Sequence, residues 1–321
     1  MKDNDPKDLR FEAAAALDDA LISANEAANG KTADLVTVVL FSEVPKIVYP
    51  LGDPEGAKDS LKSTPLQSGT FIGGGVQSAI TELKKAGSGS TLNRTGIIVL
   101  TDGFDDPLSG KLGTIKAITS AGNEGIRVSF GFLTSELDQD KLILDAILKT
   151  GGIYSTISKP EAQESFIALV LLKGLTGIDD KGNSDNAPLL PGLSTASQLS
   201  PTGPNTFTYA AKAGETFNIT VKAIDAIALH ATLRDVKANT DIASQETSST
   251  GVAFMKYTAA SNMDVEVVVT ASNKTTGNSS IFSVTLSLAG DRLPVHLKLD
   301  YQVFGLGEEW SIYSRGYCGA L

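Results

Sequence analysis

The hydrophobic period of this chain changes once, near residue 205, and no single arrangement of layers accommodates both halves. Before that point helical stripes alternate with short apolar runs. Leu9, Ala13, Ala16, Leu17, Ala20 and Leu21 share one face of a first helix, which Asn29-Gly30 stops. The run Leu35 to Phe41, LVTVVLF, follows; its valines and near-continuous apolarity predict a strand covered on both faces. Lys46 to Tyr49, between Pro45 and Pro50, reads as a short edge strand. Helical stripes then recur at Val76–Leu83, Leu112–Ile118 and Leu144–Leu148, separated by apolar runs at Ile97–Leu100, Ile126–Leu133 and Ile153–Ile157. A last helix is expected from Ser158 as N-cap, with Pro160 in its first turn and Phe166, Ile167, Val170 and Leu171 on its buried face.

Strands alternating with helices of this length predict an α/β domain over 1–175: a doubly wound, mostly parallel sheet with flanking helices. Residues 176–204 are rich in Gly and Pro without a period and read as a linker. From 205 the period is two. Phe217, Ile219 and Val221 alternate with polar residues, as do Ile227, Leu229, Ala231 and Leu233. The rows at Val265–Val269, Phe282–Leu288 and Leu293–Tyr301 repeat the pattern, so 205–303 is expected to be a separate antiparallel β-sandwich of immunoglobulin-like type. Residues 304–321 lose all pattern and read as an irregular tail.

Composition removes several chemistries. With 27 basic and 37 acidic residues the net charge is −10, and no basic stripe offers a nucleic-acid surface. There is no apolar run long enough to span a membrane, and the opening MKDNDPKDLR is not a signal peptide. The single cysteine, Cys318, permits neither an internal disulfide nor a cysteine-rich zinc site. The two histidines, His230 and His296, fall on polar faces of strands and are expected at the surface. A bound metal would therefore be held by oxygen, which points to magnesium, calcium or manganese.

Two stretches could supply that oxygen. Ser68-Gly69-Thr70-Phe71-Ile72-Gly73-Gly74-Gly75 precedes a helix, and Thr101-Asp102-Gly103-Phe104-Asp105-Asp106 follows the apolar strand IIVL. Both belong at the carboxyl ends of parallel strands, where open α/β sheets bind ligands. Thr70 could instead cap the helix, and Asp102 could be a plain turn residue. Asp105 and Asp106 read as solvated loop acids. The three glycines leading into a helix could receive an anion, though without a P-loop lysine.

The segments VTVVLFSE, SGTFIGGGVQSAI, GIIVLTDG and GIRVSFGF, in that order and spacing, resemble the von Willebrand factor type A domain over residues 1 to about 175. The resemblance implies a metal-ion-dependent adhesion site with Thr70 and Asp102 as ligands. It implies a bound Mg2+ (or Ca2+ or Mn2+) whose open position takes an aspartate or glutamate of a protein partner. That family's first strand and its D-x-S-x-S motif have no counterpart here. Met1 stands where the motif would just have ended, so an N-terminally truncated record is expected, with weak or absent metal binding in this chain.

In the resembled fold the missing strand lies between Leu35–Phe41 and Ile97–Leu100. Those two edges must therefore close together, borrow a strand from elsewhere, or leave the domain prone to aggregate. The expected function is a metal-ion-dependent protein-binding or adhesion module rather than an enzyme. The alternatives are a hydrolase-type enzyme and an inert structural fragment. Sequons at Asn93, Asn218, Asn273 and Asn278 point to an extracellular or cell-surface parent, with an intracellular protein as the alternative.

Overall fold

A computed structural model describes residues 9–27, 33–61, 69–86, 95–103, 105, 108–133, 140–157, 166–167, 187–200, 203–225, 227–248, 250–272 and 280–289, and the backbone of 311–314. The first half contains helices α1 (Leu9–Asp19), α2 (Ala24–Ala27), α3 (Pro54–Ala57), α4 (Ile72–Leu83), α5 (Leu108–Asn123) and α6 (Lys141–Lys149). Between them run strands β1 (Leu35–Leu40), β2 (Lys46–Gly52), β3 (Thr95–Thr101), β4 (Arg127–Phe132) and β5 (Tyr154–Ile157). Among the described residues the second half is strand: β6 (Ala187–Pro188), β7 (Leu193–Gln198), β8 (Asn205–Ala211), β9 (Thr216–Ala223), β10 (Leu229–Asp235), β11 (Thr240–Glu246), β12 (Val252–Thr258), β13 (Met263–Ala271) and β14 (Ile281–Leu288). A last strand, β15 (Ser311–Ser314), lies near the C-terminus.

Local chemistry explains where several elements start. Asp140 caps α6 by accepting from the backbone N–H groups of Leu142 (2.9 Å) and Ile143 (3.2 Å). Ile143, Leu144, Ala146 and Ile147 then present one buried face. Every residue of β3 and β4 is buried, which accounts for their unbroken apolar character. In β9 the buried residues Phe217, Ile219 and Val221 alternate with half-buried ones, the pattern of a strand with one covered face.

The sheet topology overturns the expected fold class. Among the described residues the mostly parallel strands of the expected doubly wound sheet and the antiparallel ones do not form separate sheets. A single mixed sheet of ten strands, in the order β12-β9-β14-β7-β5-β4-β3-β15-β1-β2, runs through both halves. Within this sheet the described parallel pairs join β1, β15, β3, β4 and β5. The pairs β1–β2, β5–β7, β7–β14, β14–β9 and β9–β12 are antiparallel. A second sheet, β11-β10-β13-β8-β6, is antiparallel except at β6–β8 and faces the first across a core of Phe207, Phe217 and Phe282. Of the described residues, strand accounts for 44% and helix for 29%.

The fusion happens at β7, inside the stretch expected as linker. LSTASQ has little apolar content, and nothing in its own pattern announces a strand. It forms one because β5 offers a free edge on one side and β14 on the other. Ser155 pairs with Thr195, Thr156 with Ser194 and Ile157 with Leu193. On its far edge Thr195 opposes Val284 and Ala196 opposes Ser283. The cores merge accordingly. Leu193 packs with the α1-side cluster of the first half, and Ala196 and Ile281 pack with the α4-side cluster. Helix α6 spans the seam, with Lys141 paired to Asp225 at 2.6 Å and Gln198 donating to Asp145 at 3.4 Å.

The residues after 303 were expected to be irregular throughout. Instead β15 lies between β1 and β3, parallel to both, with Leu35 opposite Ser311 and Ser311 opposite Thr95. Of the three outcomes open to those two edges, a borrowed strand is the one found. The helical residues Phe166 and Ile167 are buried, while Ser158 to Glu161, Val170, Leu171 and the row Leu293–Tyr301 lie outside the described residues.

Candidate functional site

The carboxyl ends of β1 and β3 open onto one edge of the sheet. Asp102 follows directly on Thr101, the last residue of β3, and its side chain is buried at 8% exposure. Thr101 fixes that turn: its hydroxyl donates to the Gly103 carbonyl (2.8 Å) and accepts from the Gly103 N–H (3.3 Å). Thr70 is half-buried, two residues before α4 begins. Phe71 stands at the N-cap position of that helix and makes no side-chain capping bond.

The capping carboxylate is Asp105. Its Oδ1 accepts from the Ile72 N–H at 2.8 Å and its Oδ2 from the Gly73 N–H at 3.5 Å. The hydroxyl of Thr114 on α5 donates to the same Oδ2. Asp105 is 4% exposed, so the expectation of a solvated loop acid is corrected. A carboxylate at a helix N-terminus satisfies orphan N–H groups and meets the positive end of the dipole. It also occupies the place where the glycine run could have received an anion. Sequence reading missed this role because donor and acceptor stand 32 and 33 residues apart. Asp106 lies outside the described residues.

The glycines serve close packing. A Cβ on Gly73 would lie 2.9 Å from the Gly113 carbonyl carbon and from the Thr114 nitrogen. That backbone-to-backbone approach of α4 and α5 is what lets Thr114 reach Asp105. A Cβ on Gly75 would lie 2.7 Å from the Phe41 ring. Gly69, with φ at +91°, holds the Thr70 loop against the β1–β2 connection, where its missing Cβ would come within 2.5 Å of Glu43 Cγ. Thr70, Asp102 and the buried Ser42 thus share one edge of the sheet, and the Asp105 bonds tie the Asp102 loop to the Thr70 loop. Ser42 was not among the expected site residues.

Among the described residues the donor set falls short of a cation cage. Asp102 offers a carboxylate and Thr70 and Ser42 offer hydroxyls, but the Asp105 carboxylate is committed to α4 and Thr114. Among the described residues no group of three or more His, Cys, Asp or Glu gathers into a metal-binding cluster. A magnesium ion needs about six oxygens in strict geometry, more than these side chains supply.

The rim of this edge is apolar. Val44 is 71% exposed in the β1–β2 connection and Phe71 40% exposed before α4. Leu112 and Leu142 stand exposed near the starts of α5 and α6, which the Lys111–Asp140 ion pair joins. Burial opposes ionisation of Asp140, but Lys111 and the N–H groups of Ile143 and Leu142 together hold its carboxyl below the usual value. Elsewhere, His230 is half-buried on β10 beside the Ser244 hydroxyl at 2.9 Å, distant in the fold from Asp102. Asn218 lies on the half-buried face of β9. Asn93, Asn273, Asn278, His296, Cys318 and Trp310 lie outside the described residues.

No protein-family model matches the chain, and no curated protein matches it. Several solved structures align with parts of the chain. An aerotolerance-related membrane protein from Bacteroides fragilis aligns over 49% of this chain and 85% of its own at 19% identity, with a TM-score of 0.34. The pre-peptidase C-terminal domain of a Bacillus anthracis collagenase aligns over 32% and 93% at 8% identity, TM-score 0.27. CorA, a surface-associated copper-binding protein of Methylomicrobium album, aligns over 33% and 98% at 9% identity, TM-score 0.26. Among the described residues no helix is long and apolar enough to cross a membrane.

Proposed function

We propose that this chain is a protein-binding module that presents the carboxyl edge of β1 and β3, with Asp102 and Thr70 holding a divalent cation only weakly. One observation carries the reading: a buried carboxylate and two hydroxyls lie at a sheet edge rimmed by the exposed side chains of Val44 and Phe71. Exposed apolar groups around a polar centre suit a partner that buries an apolar contact and offers a polar anchor. Mg2+, Ca2+ or Mn2+ would assist by bridging to an acidic side chain of the partner. With two hydroxyls and one carboxylate among the described residues of this edge, that assistance is expected to need millimolar cation.

Panning a random peptide library against the full chain tests the reading. Peptides enriched by the wild type and lost with Phe71→Ser are expected to combine apolar residues with an Asp or Glu. Asp102→Ala is expected to weaken the acidic ones. Binders indifferent to both substitutions would overturn the assignment of this edge. Micromolar Mg2+ binding by calorimetry would overturn the weak-cation part.

A further inference from the structure

One residue closes the start of β1 onto the turn that follows α1. Asp34 stands immediately before β1 and is 4% exposed. Its backbone N–H donates to the Ile22 carbonyl and its Oδ2 accepts from the Ile22 N–H, both at 2.8 Å. The two bonds join residues 12 apart in sequence, and α2 lies in the loop between them. Leu21, beside Ile22, belongs to the apolar cluster of Val36 and Val38 on β1, so the closure also seats the end of the α1 segment on the sheet.

The closure encloses a poorly served carboxyl. A buried carboxylate ordinarily gathers several donors or a cation. Asp34 has one donor, the Ile22 N–H, and its Oδ1 is buried with no hydrogen-bond partner. The charged groups of the surrounding elements do not compensate. Glu26 of α2 is exposed, accepts from the Ser23 N–H (2.9 Å) and hydroxyl (3.1 Å), and repels a negative Asp34. On α1, Asp18 is buried, Asp19 is paired with Lys58 at 2.8 Å, Glu12 is exposed, and Arg10 lies over the Phe11 ring at the far end of the helix. On the other side of α2, Asp53 accepts from the Ala24 N–H and Glu55 from the Asn25 amide, each at 2.8 Å. Asp59, next to Lys58, is exposed. The neutral carboxyl therefore suits this setting better than the carboxylate. Burial first, and the Glu26 charge in addition, push Asp34 up to about 6 against the opposing Ile22 bond.

We propose that the Ile22–Asp34 closure is a proton-held latch, shut while Asp34 carries a proton and favoured to open when Asp34 ionises. The proton acts as a ligand that selects the closed one of two states. Opening frees the end of the α1 segment and α2 from the start of β1. β1 keeps its bonds to β2, and α2 keeps its ties to Asp53 and Glu55, so the motion is local.

Hydrogen exchange at the Ile22 amide reads the latch directly. The sample is the full chain labelled with 15N-isoleucine, with the Ile22 signal assigned from Ile22→Val. With about 6 for the closed form and 3.8 for the open one, the opening constant rises about tenfold between pH 5 and pH 7. The Ile22 protection factor, corrected for intrinsic exchange, is expected to fall by about tenfold over that range. At both pH values it is expected to lie well below that of Ile98 in β3, which exchanges only through wider unfolding. Asp34→Asn keeps an acceptor for Ile22 and cannot ionise, and is expected to abolish the pH dependence. Glu26→Gln removes the like charge and is expected to raise Ile22 protection at pH 7.

A corrected protection factor that does not change with pH would overturn the proposal, as would an unchanged pH dependence in Asp34→Asn. Equal protection at Ile22 and Ile98 would also overturn it, by making the opening a global one.

Discussion

Replacing Asp105 by alanine separates a structural carboxylate from a ligand. The structure gives Asp105 three donors: Ile72 N–H, Gly73 N–H and the Thr114 hydroxyl. Losing a cap costs about 1 kcal/mol, within a range of about 0.5–2. Thr114 is fully buried, and its stranded hydroxyl adds about 1–3 kcal/mol. Removing the buried charge returns part of this, so Asp105→Ala is expected to destabilise the chain by about 3 kcal/mol. Asp105→Asn keeps an acceptor for Ile72, and Thr114 can rotate to accept from the new amide. It is expected to cost about 1 kcal/mol. Urea denaturation followed by circular dichroism measures both. If Asp105→Ala unfolds within about 0.5 kcal/mol of the wild type, the capping argument is refuted and the carboxylate is available to a ligand.

Two further outcomes follow from burial and pairing. Asp34 is buried, accepts from the Ile22 N–H at 2.8 Å, and is pushed from 3.8 to about 6, first by burial and then by Glu26. The folded chain keeps a proton there that the unfolded chain releases, so this contribution is complete below pH 3.8 and is lost as pH rises through about 6. At about 1.4 kcal/mol per pH unit the loss is about 3 kcal/mol, and Asp34→Asn should gain about that much over wild type between pH 4 and 7. A difference in urea stability that does not vary with pH would contradict the assignment. Separately, a fragment spanning 187–289 is expected to melt cooperatively, and well above one spanning 205–289. The shorter piece lacks β7 and bares the β14 edge from Ile281 to Thr285. Equal melting temperatures would show that β7 adds nothing to the sandwich.

The elements of this chain were written locally. The valine-rich LVTVVLF run yields β1, the alternation of Phe217, Ile219 and Val221 yields β9, and the stripe ending in Leu83 yields α4. A side chain's partition between core and water depends on its own chemistry and on a period of two or 3.6, both visible within a dozen residues. Thr70 and Asp102 could be placed at one sheet edge for the same reason, since strand ends are local features. What pairs with what is another matter. A strand edge is a row of backbone N–H and C=O groups that any extended segment can satisfy, so its partner carries no signature in its own sequence. LSTASQ became β7 because β5 and β14 each had an edge to fill, and Ser311–Ser314 entered the sheet because β1 and β3 did. Asp105 likewise became a cap because α4 and α5 approach closely enough at Gly73 to bring Thr114 to it. Hydrophobic period fixed the kinds of element, and the demand for backbone hydrogen bonds in the folded chain joined them into one sheet where two separate sheets were expected.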